Sequence, residues 1–168
     1  MEGAHRQALR IRPATPADGP AIWRILEPII RAGETNALDR DMGEDAALAY
    51  WTGPGKTAFV AEEDGWIAGT YFIQPNQAGG GRHVCNGGYV TAMEATGRGI
   101  ARRMCLHSLE QAQRQGFKAM QFNFVVSTNV RAVRLWESLG FAIAGRLPQA
   151  FAHPVHGYVD ALIMFRAL

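Results

Sequence analysis

The sequence predicts an α/β fold: a mixed central sheet of about seven strands with helices on both faces. Three observations predict it. β-rich and helical runs follow one another in the order β-α-α-β-β-β-α-β-α-β-β. That order combines hairpin connections, which make antiparallel pairs, with helical crossovers, which allow parallel ones. Two of the β-rich runs are joined by Glu63-Asp64-Gly65, in which Asp-Gly is a strong hairpin signal. A third run ends in a turn with two glycines that opens directly into an amphipathic helix.

Each element has a local reason. Residues 8–13 alternate apolar with basic side chains and read as an opening strand. Thr15 is placed to cap a helix, Pro16 suits its first position, and Asp18 completes a capping box. Ile22, Ile25, Leu26, Ile29 and Ile30 then recur at helical spacing and give that helix one apolar face. A polar stretch leads to a short helix over 44–51. Strands follow over 57–62, 66–74 and 83–93, with a glycine-rich surface loop between the last two. A helix over 99–115 presents Ala101, Cys105, Leu109 and Ala112 to the core, with Ile100 and Met104 beside them. A strand over 118–126, a helix over 129–139 and strands over 141–146 and 158–166 complete the chain.

Composition narrows the function. The chain has 168 residues, 48% hydrophobic and 19% charged, which suits one globular domain, predicted over 8–168. A net charge of +2 is too small for a nucleic-acid surface. No apolar run approaches the roughly 20 residues of a membrane span. The first ten residues lack the apolar core of a signal peptide, so a cytoplasmic location is expected. Cys85 and Cys105 form no C-x-x-C pair and read as free buried thiols. His83 and Cys85 lack further ligands at useful spacing, so no metal is expected.

The segment from Tyr89 to Arg103 carries the chemistry. Gly97 and Gly99 permit a tight turn and leave room for a ligand to approach the backbone. The free N–H groups and dipole of the helix that follows favour an anion there. Arg98, Arg102 and Arg103 add positive charge. A pyrophosphate fits such a site, although a glycine turn alone is weak evidence. A G-x-G-x-x-G fingerprint would need glycine where Arg102 stands, and no Walker loop is present.

Thr96-Gly97-Arg98-Gly99-Ile100-Ala101 resembles the Q/R-x-x-G-x-G/A signature of the GNAT superfamily of N-acetyltransferases. The segment from Asn129 to Phe141, NVRAVRLWESLGF, resembles that family's second signature, N-x-x-A-x-x-L-Y-x-x-x-G-F. The likeness runs along nearly the whole chain. It implies a mostly antiparallel sheet whose fourth and fifth strands splay apart around acetyl-CoA. Carried over, Thr91, Ala92 and Met93 would line pantetheine and acetyl through their backbone, and the segment Gly97, Arg98, Gly99, Ile100, Ala101 and Arg102 would hold the pyrophosphate. Asn129 would reach the pantetheine arm, cap its own helix, or do both. Thr96 replaces the usual Gln or Arg. Trp136 replaces the tyrosine that protonates the leaving thiolate in many members, and an indole cannot act as that acid.

The segments from Gly69 to about Phe151 are also similar to fungal N-acetyltransferases that act on proline analogues such as L-azetidine-2-carboxylate. Phosphinothricin acetyltransferases are the next nearest. The resemblance therefore implies acetyl transfer to a small amino or imino acid by direct attack in a ternary complex. Alternatives are a phosphinothricin, protein or polyamine acceptor, or a domain that senses acetyl-CoA without turnover. Similar proteins often form homodimers.

Asn86 and Asn123 are the candidate catalytic residues, because amides are disfavoured inside strands and need partners when buried. Either they face one cleft and orient the acceptor, or backbone and water satisfy them. Glu34, Thr35, Asn36 and Tyr50 fall in the region that closes over substrate in similar enzymes. His153 and His156 read as loop residues near its mouth, and Asp160 as a structural hydrogen-bonding group.

Overall fold

A computed structural model describes residues 8–168. The first seven residues, most of the segment read above for a targeting signal, lie outside the described residues.

Seven strands form one sheet in the order β1-β2-β3-β4-β5-β7-β6. They are β1 (Arg10–Pro13), β2 (Thr57–Glu63), β3 (Trp66–Pro75), β4 (Val84–Thr91), β5 (Ala119–Val126), β6 (Ala142–His153) and β7 (Gly157–Ala167). Every pairing is antiparallel except β4 with β5. The helices are α1 (Gly19–Ala32), α2 (Glu44–Thr52), α3 (Ile100–Arg114) and α4 (Val130–Ser138). Adjacent strand residues show that they cover both faces, because side chains alternate along a strand. Tyr71 bonds to His107 of α3, whereas its neighbour Phe72 packs edge-on against Trp51 of α2.

The α3 face is held by a run of rings. Phe59, Tyr71, Tyr89 and Phe122 meet in sequence at centroid separations of 4.8, 5.5 and 5.7 Å, crossing β2 to β5. Trp136 of α4 lies 5.1 Å from Tyr89 and 4.9 Å from Phe122. On α3 the buried line is Ile100, Met104, Cys105, Leu109 and Ala112. Ala101, predicted for the centre of that face, is half-buried, and Met104 takes its place against Gly69. A Cβ on Gly69 would stand 2.9 Å from the Met104 sulfur and methyl, so the end of the Met104 side chain would have to move aside for any side chain there.

Three other details depart from the sequence reading. β4 ends at Thr91, and Met93–Ala95 form a 3-10 turn. The turn forms because the Ala95 N–H returns to Ala92 C=O and the Thr96 N–H to Met93 C=O. β6 runs on to His153, well beyond the predicted end at Arg146. Pro148 and a bulge interrupt it, and Gln149 adopts a left-handed φ of 51°. Asp160 holds that bulge by accepting from Gln149 N–H at 2.9 Å and from Arg146 Nη1 at 2.7 Å. At the start of the chain the predicted capping box of Thr15 and Asp18 is present, but it opens a 3-10 turn, Pro16–Asp18, that precedes α1. The Thr15 N–H and hydroxyl both donate to the Asp18 carboxylate, at 2.7 and 3.1 Å.

Arg12 makes a two-pronged contact with that carboxylate, at 2.8 and 2.9 Å. Asp18 is buried, and the Arg12 hydrogen bonds lower its pKa from 3.8 to about 2. A depressed carboxylate pKa stabilises the fold above the unfolded value, and the contribution is lost as pH falls through 4 towards 2. After allowing for the partly exposed arginine it amounts to about 1–2 kcal/mol. Thermal unfolding between pH 6 and pH 2.5 is expected to show a smaller loss of Tm in Asp18→Asn than in the wild type. Parallel curves would contradict that assignment.

Candidate active site

The cleft originates in a ladder that stops. β4 and β5 pair at Val84 with Ala119 and Cys85 with Met120, and at no later position. Beyond Cys85 the strands diverge: β4 stays registered with β3, and β5 stays paired with β7 apart from a bulge between Phe122 and Val125. The alternation of an antiparallel ladder then assigns the unused backbone groups. Ala92 N–H bonds to Ala68 C=O, and Asn76 N–H to Val84 C=O, so the even-numbered residues of β4 are spent on β3. The N–H and C=O groups of Gly87, Tyr89 and Thr91 face the gap.

A cavity of about 720 Å³ fills the gap and extends over the face that carries α1 and α2. Aromatic walls come from Tyr50, Trp51, Phe72, Phe124 and Trp136. Its polar side chains include Thr35, Asn36, Gln74, Asn86, Asn123 and Asn129, and among the described residues no Asp, Glu, Lys, Arg or His lines it.

Asn86 and Asn123 therefore line one cleft. Asn86 Nδ2 donates to Gln121 C=O at 2.9 Å, where the next ladder bond would have formed. A carbonyl oxygen only accepts, so this bond fixes which end of the amide is the nitrogen. Asn86 Oδ1 is left as an acceptor without a partner among the described residues. Asn123 is more heavily committed. It accepts from Gln121 Nε2 at 2.9 Å and donates to Asn76 Oδ1 at 2.6 Å. Asn129 accepts from Ala132 N–H at 3.3 Å, capping α4, and also lines the cleft.

Thr91 also lines the cavity, whereas Ala92 and Met93 do not. The N–H of Ala92 is already bonded to Ala68, and Met93 is largely exposed. The glycine turn lies beyond the end of β4. Gly97 and Gly99 take φ values of 83° and 76°, in the region that favours glycine. Arg103 is the first residue of α3 whose N–H reaches back, to Gly99 C=O at 3.1 Å. The N–H groups of Ile100, Ala101 and Arg102 are the orphan donors of the helix start.

Of the arginines expected there, Arg98 is ion-paired with Glu63, and Arg103 donates to Leu9 C=O at 3.3 Å. Arg102 donates to Ser138 Oγ at 3.1 Å. Arg131 of α4 was not among the expected residues, yet its Nη2 lies 3.6 Å from the point where a Gly97 Cβ would stand. No hydrogen bond or ion pair engages it among the described residues.

Near the cleft, Tyr89 is the nearest phenol to Trp136, but its hydroxyl contacts Ser108 Oγ at 2.6 Å inside the core. Burial holds its pKa above 10, so it is not a proton donor to the cleft. Thr35, Asn36 and Tyr50 reach the cavity, and Glu34 does not. His153 caps a turn through Nδ1, which accepts from the N–H groups of Val155 and His156. Among the described residues, no three His, Cys, Asp or Glu side chains converge as metal ligands would. No helix among them is long and apolar enough to cross a membrane.

A mixed seven-stranded sheet with this gap and glycine turn is the architecture of an acetyltransferase. The chain belongs to the acetyltransferase (GNAT) family, which it matches over residues 21–141. Enzymes of that family take their acetyl group from acetyl-CoA. A GCN5-related N-acetyltransferase from Kribbella flavida is 43% identical, with a TM-score of 0.91 over 96% of this chain and 98% of that one. The N-acetyltransferase aca1 of Schizosaccharomyces pombe is 41% identical over 98 residues, 58% of this chain. The chain spans only 47% of that relative's length. The L-methionine sulfoximine/L-methionine sulfone acetyltransferase of Salmonella typhimurium is 27% identical over 84% of each chain.

Cys85 and Cys105 are both fully buried, and burial pushes each thiol up to about 12. Neither supplies thiolate at neutral pH. Native protein is expected to give no reaction with a disulfide reagent at pH 8 within the time of an assay, and two equivalents after unfolding. A fast-reacting thiol in the native state would contradict their placement.

Proposed function

We propose that the chain moves acetyl from acetyl-CoA to the nitrogen of a small amino or imino acid, within one ternary complex and one domain over residues 8–168. The observation that carries this reading is the open Asn86 Oδ1 in a cavity that no charged side chain lines among the described residues. An amine approaching the cleft needs an acceptor for its N–H, and Asn86 offers one with its orientation already set. A polyamine would bring a second ammonium for which the cavity holds no carboxylate. The names of the Salmonella relative and of phosphinothricin acetyltransferases of the same fold agree with a small amino-acid acceptor.

Acetyl-CoA supplies an already activated thioester. On this chain, the gap-facing backbone of Thr91 and its neighbours supports the pantetheine arm and acetyl group, as an added strand would be supported. The amides from Gly97 to Arg102 receive the pyrophosphate. With Arg98 held by Glu63, Arg131 is the added cation. Asn129 reaches the pantetheine arm while capping its helix, and Asn123 braces the acceptor end through Asn76 and Gln121.

The new N–C bond forms as the C–S bond breaks, and sulfur leaves as thiolate. Trp136 can donate a hydrogen bond to that sulfur but no proton. The nitrogen's proton passes to water held at Asn86, and the thiolate takes up one proton from solvent, which balances the transfer. Alignment of the two substrates contributes up to about 7–11 kcal/mol.

Thiol release should be measured against L-azetidine-2-carboxylate, methionine sulfoximine, phosphinothricin, polyamines and peptide N-termini. Turnover is expected with the amino and imino acids. Asn86→Ala is expected to lower kcat/KM for them by about ten- to hundredfold, the size of one lost polar contact. Its KM for acetyl-CoA should stay within about twofold. Turnover confined to polyamines or peptides would contradict the acceptor class. Silence throughout, with tight acetyl-CoA binding, would favour the sensor reading.

A further inference from the structure

Resting on the amino-acid reading above, the geometry points to Tyr50, with Lys56 stacked on its ring, as the pair that recognises the acceptor's carboxylate. An amino or imino acid brings a carboxylate as well as a nitrogen, and among the described residues the cavity wall contains no cation to meet it. Lys56 supplies positive charge from just behind that wall. Its Nζ sits 3.8 Å from the Tyr50 ring centroid and 4.8 Å from that of Phe72, and both residues line the cavity. Lys56 also donates to Tyr50 C=O, which pins the ammonium beneath the helix end.

The chemistry follows from that stack. A cation on a phenol's π face withdraws electron density from the ring and makes the O–H a stronger hydrogen-bond donor. The Tyr50 hydroxyl makes no hydrogen bond among the described residues, unlike that of Tyr89, so its proton is available to a ligand. Tyr50 is 41% exposed, and the partial burial of its phenol raises the pKa, which keeps that proton in place at neutral pH. The same burial lowers the Lys56 pKa, as expected for an ammonium partly withdrawn from water. An anion in the cavity therefore meets a neutral donor in contact and a positive charge one ring away. Asn86 at the sheet would hold the nitrogen while Tyr50 on α2 holds the carboxylate, so the two ends of one small molecule are read from opposite walls.

The test separates the two ends. Thiol release with L-azetidine-2-carboxylate is measured with wild type, Tyr50→Phe, Lys56→Met and Lys56→Arg. Cyclobutanecarboxylate (carboxylate without nitrogen) and azetidine (nitrogen without carboxylate) serve as competing ligands. Tyr50→Phe and Lys56→Met should each raise KM for the amino acid and Ki for cyclobutanecarboxylate by about tenfold, the scale of one hydrogen bond to a charged group. The Ki for azetidine and the KM for acetyl-CoA should move by less than about twofold, and Lys56→Arg should restore most of the loss. Equal losses on both competing ligands, or none on the carboxylate, would overturn the assignment even with the amino acid turned over normally. If wild type acetylates no amino or imino acid, the acceptor class fails first and this pair with it.

Discussion

Everything at the cleft depends on the parallel ladder between β4 and β5 ending after its second pair. An ended ladder leaves backbone donors and acceptors unpaired inside a protein, which is ordinarily costly. Here they open onto a cavity, where water or a ligand can satisfy them. The divergence is propped from both sides of the sheet. On the α3 face, Tyr89 and Phe122 meet edge-on across the wedge with Trp136 behind them. On the other face, Asn86 spans the first missing rung through Gln121 C=O. Closing the gap would have to displace a packed aromatic cluster, so the cleft is built into the core.

The same constraint explains why the site needs so little charge. Backbone dipoles along β4, the orphan amides of α3 and the side-chain amides of Asn86 and Asn129 already supply donors and acceptors. Charged groups sit one layer out, with Arg131 beside the glycine turn and Lys56 behind Tyr50. A charge placed directly in such a cavity would carry a desolvation cost that these neutral groups avoid.

Much of the fold was legible in the sequence because its signals were local. The Asp-Gly hairpin, the isoleucine stripe of α1 and the glycine turn before α3 each lie within a few residues of the structure they specify. The site was legible only in part. Asn86 and Asn123 stood out as amides within strands, but only the packed sheet distinguishes Asn86, with an open oxygen, from Asn123, tied to Asn76 and Gln121. Arg131 gave no local signal, since its partner turn lies more than thirty residues earlier. Its place in the second signature, as the second residue of α4, was the available hint. Arg98 looked free, and only the fold reveals Glu63 beside it. The full length of β6 was hidden by Pro148, because its register comes from β7 and from Asp160 across the bulge.

The central claim is that the unpaired backbone of β4 is where acetyl-CoA binds. Residue-resolved amide hydrogen exchange of the native protein, with and without acetyl-CoA, tests it most directly. The N–H groups of Gly87, Tyr89 and Thr91 should exchange readily in the free protein, and those that meet the ligand should slow on binding, together with Ile100 to Arg102. The Ala92 N–H, already bonded to β3, should change far less. Saturating acetyl-CoA that protected other surfaces and left the gap-facing amides of β4 unchanged would contradict the account.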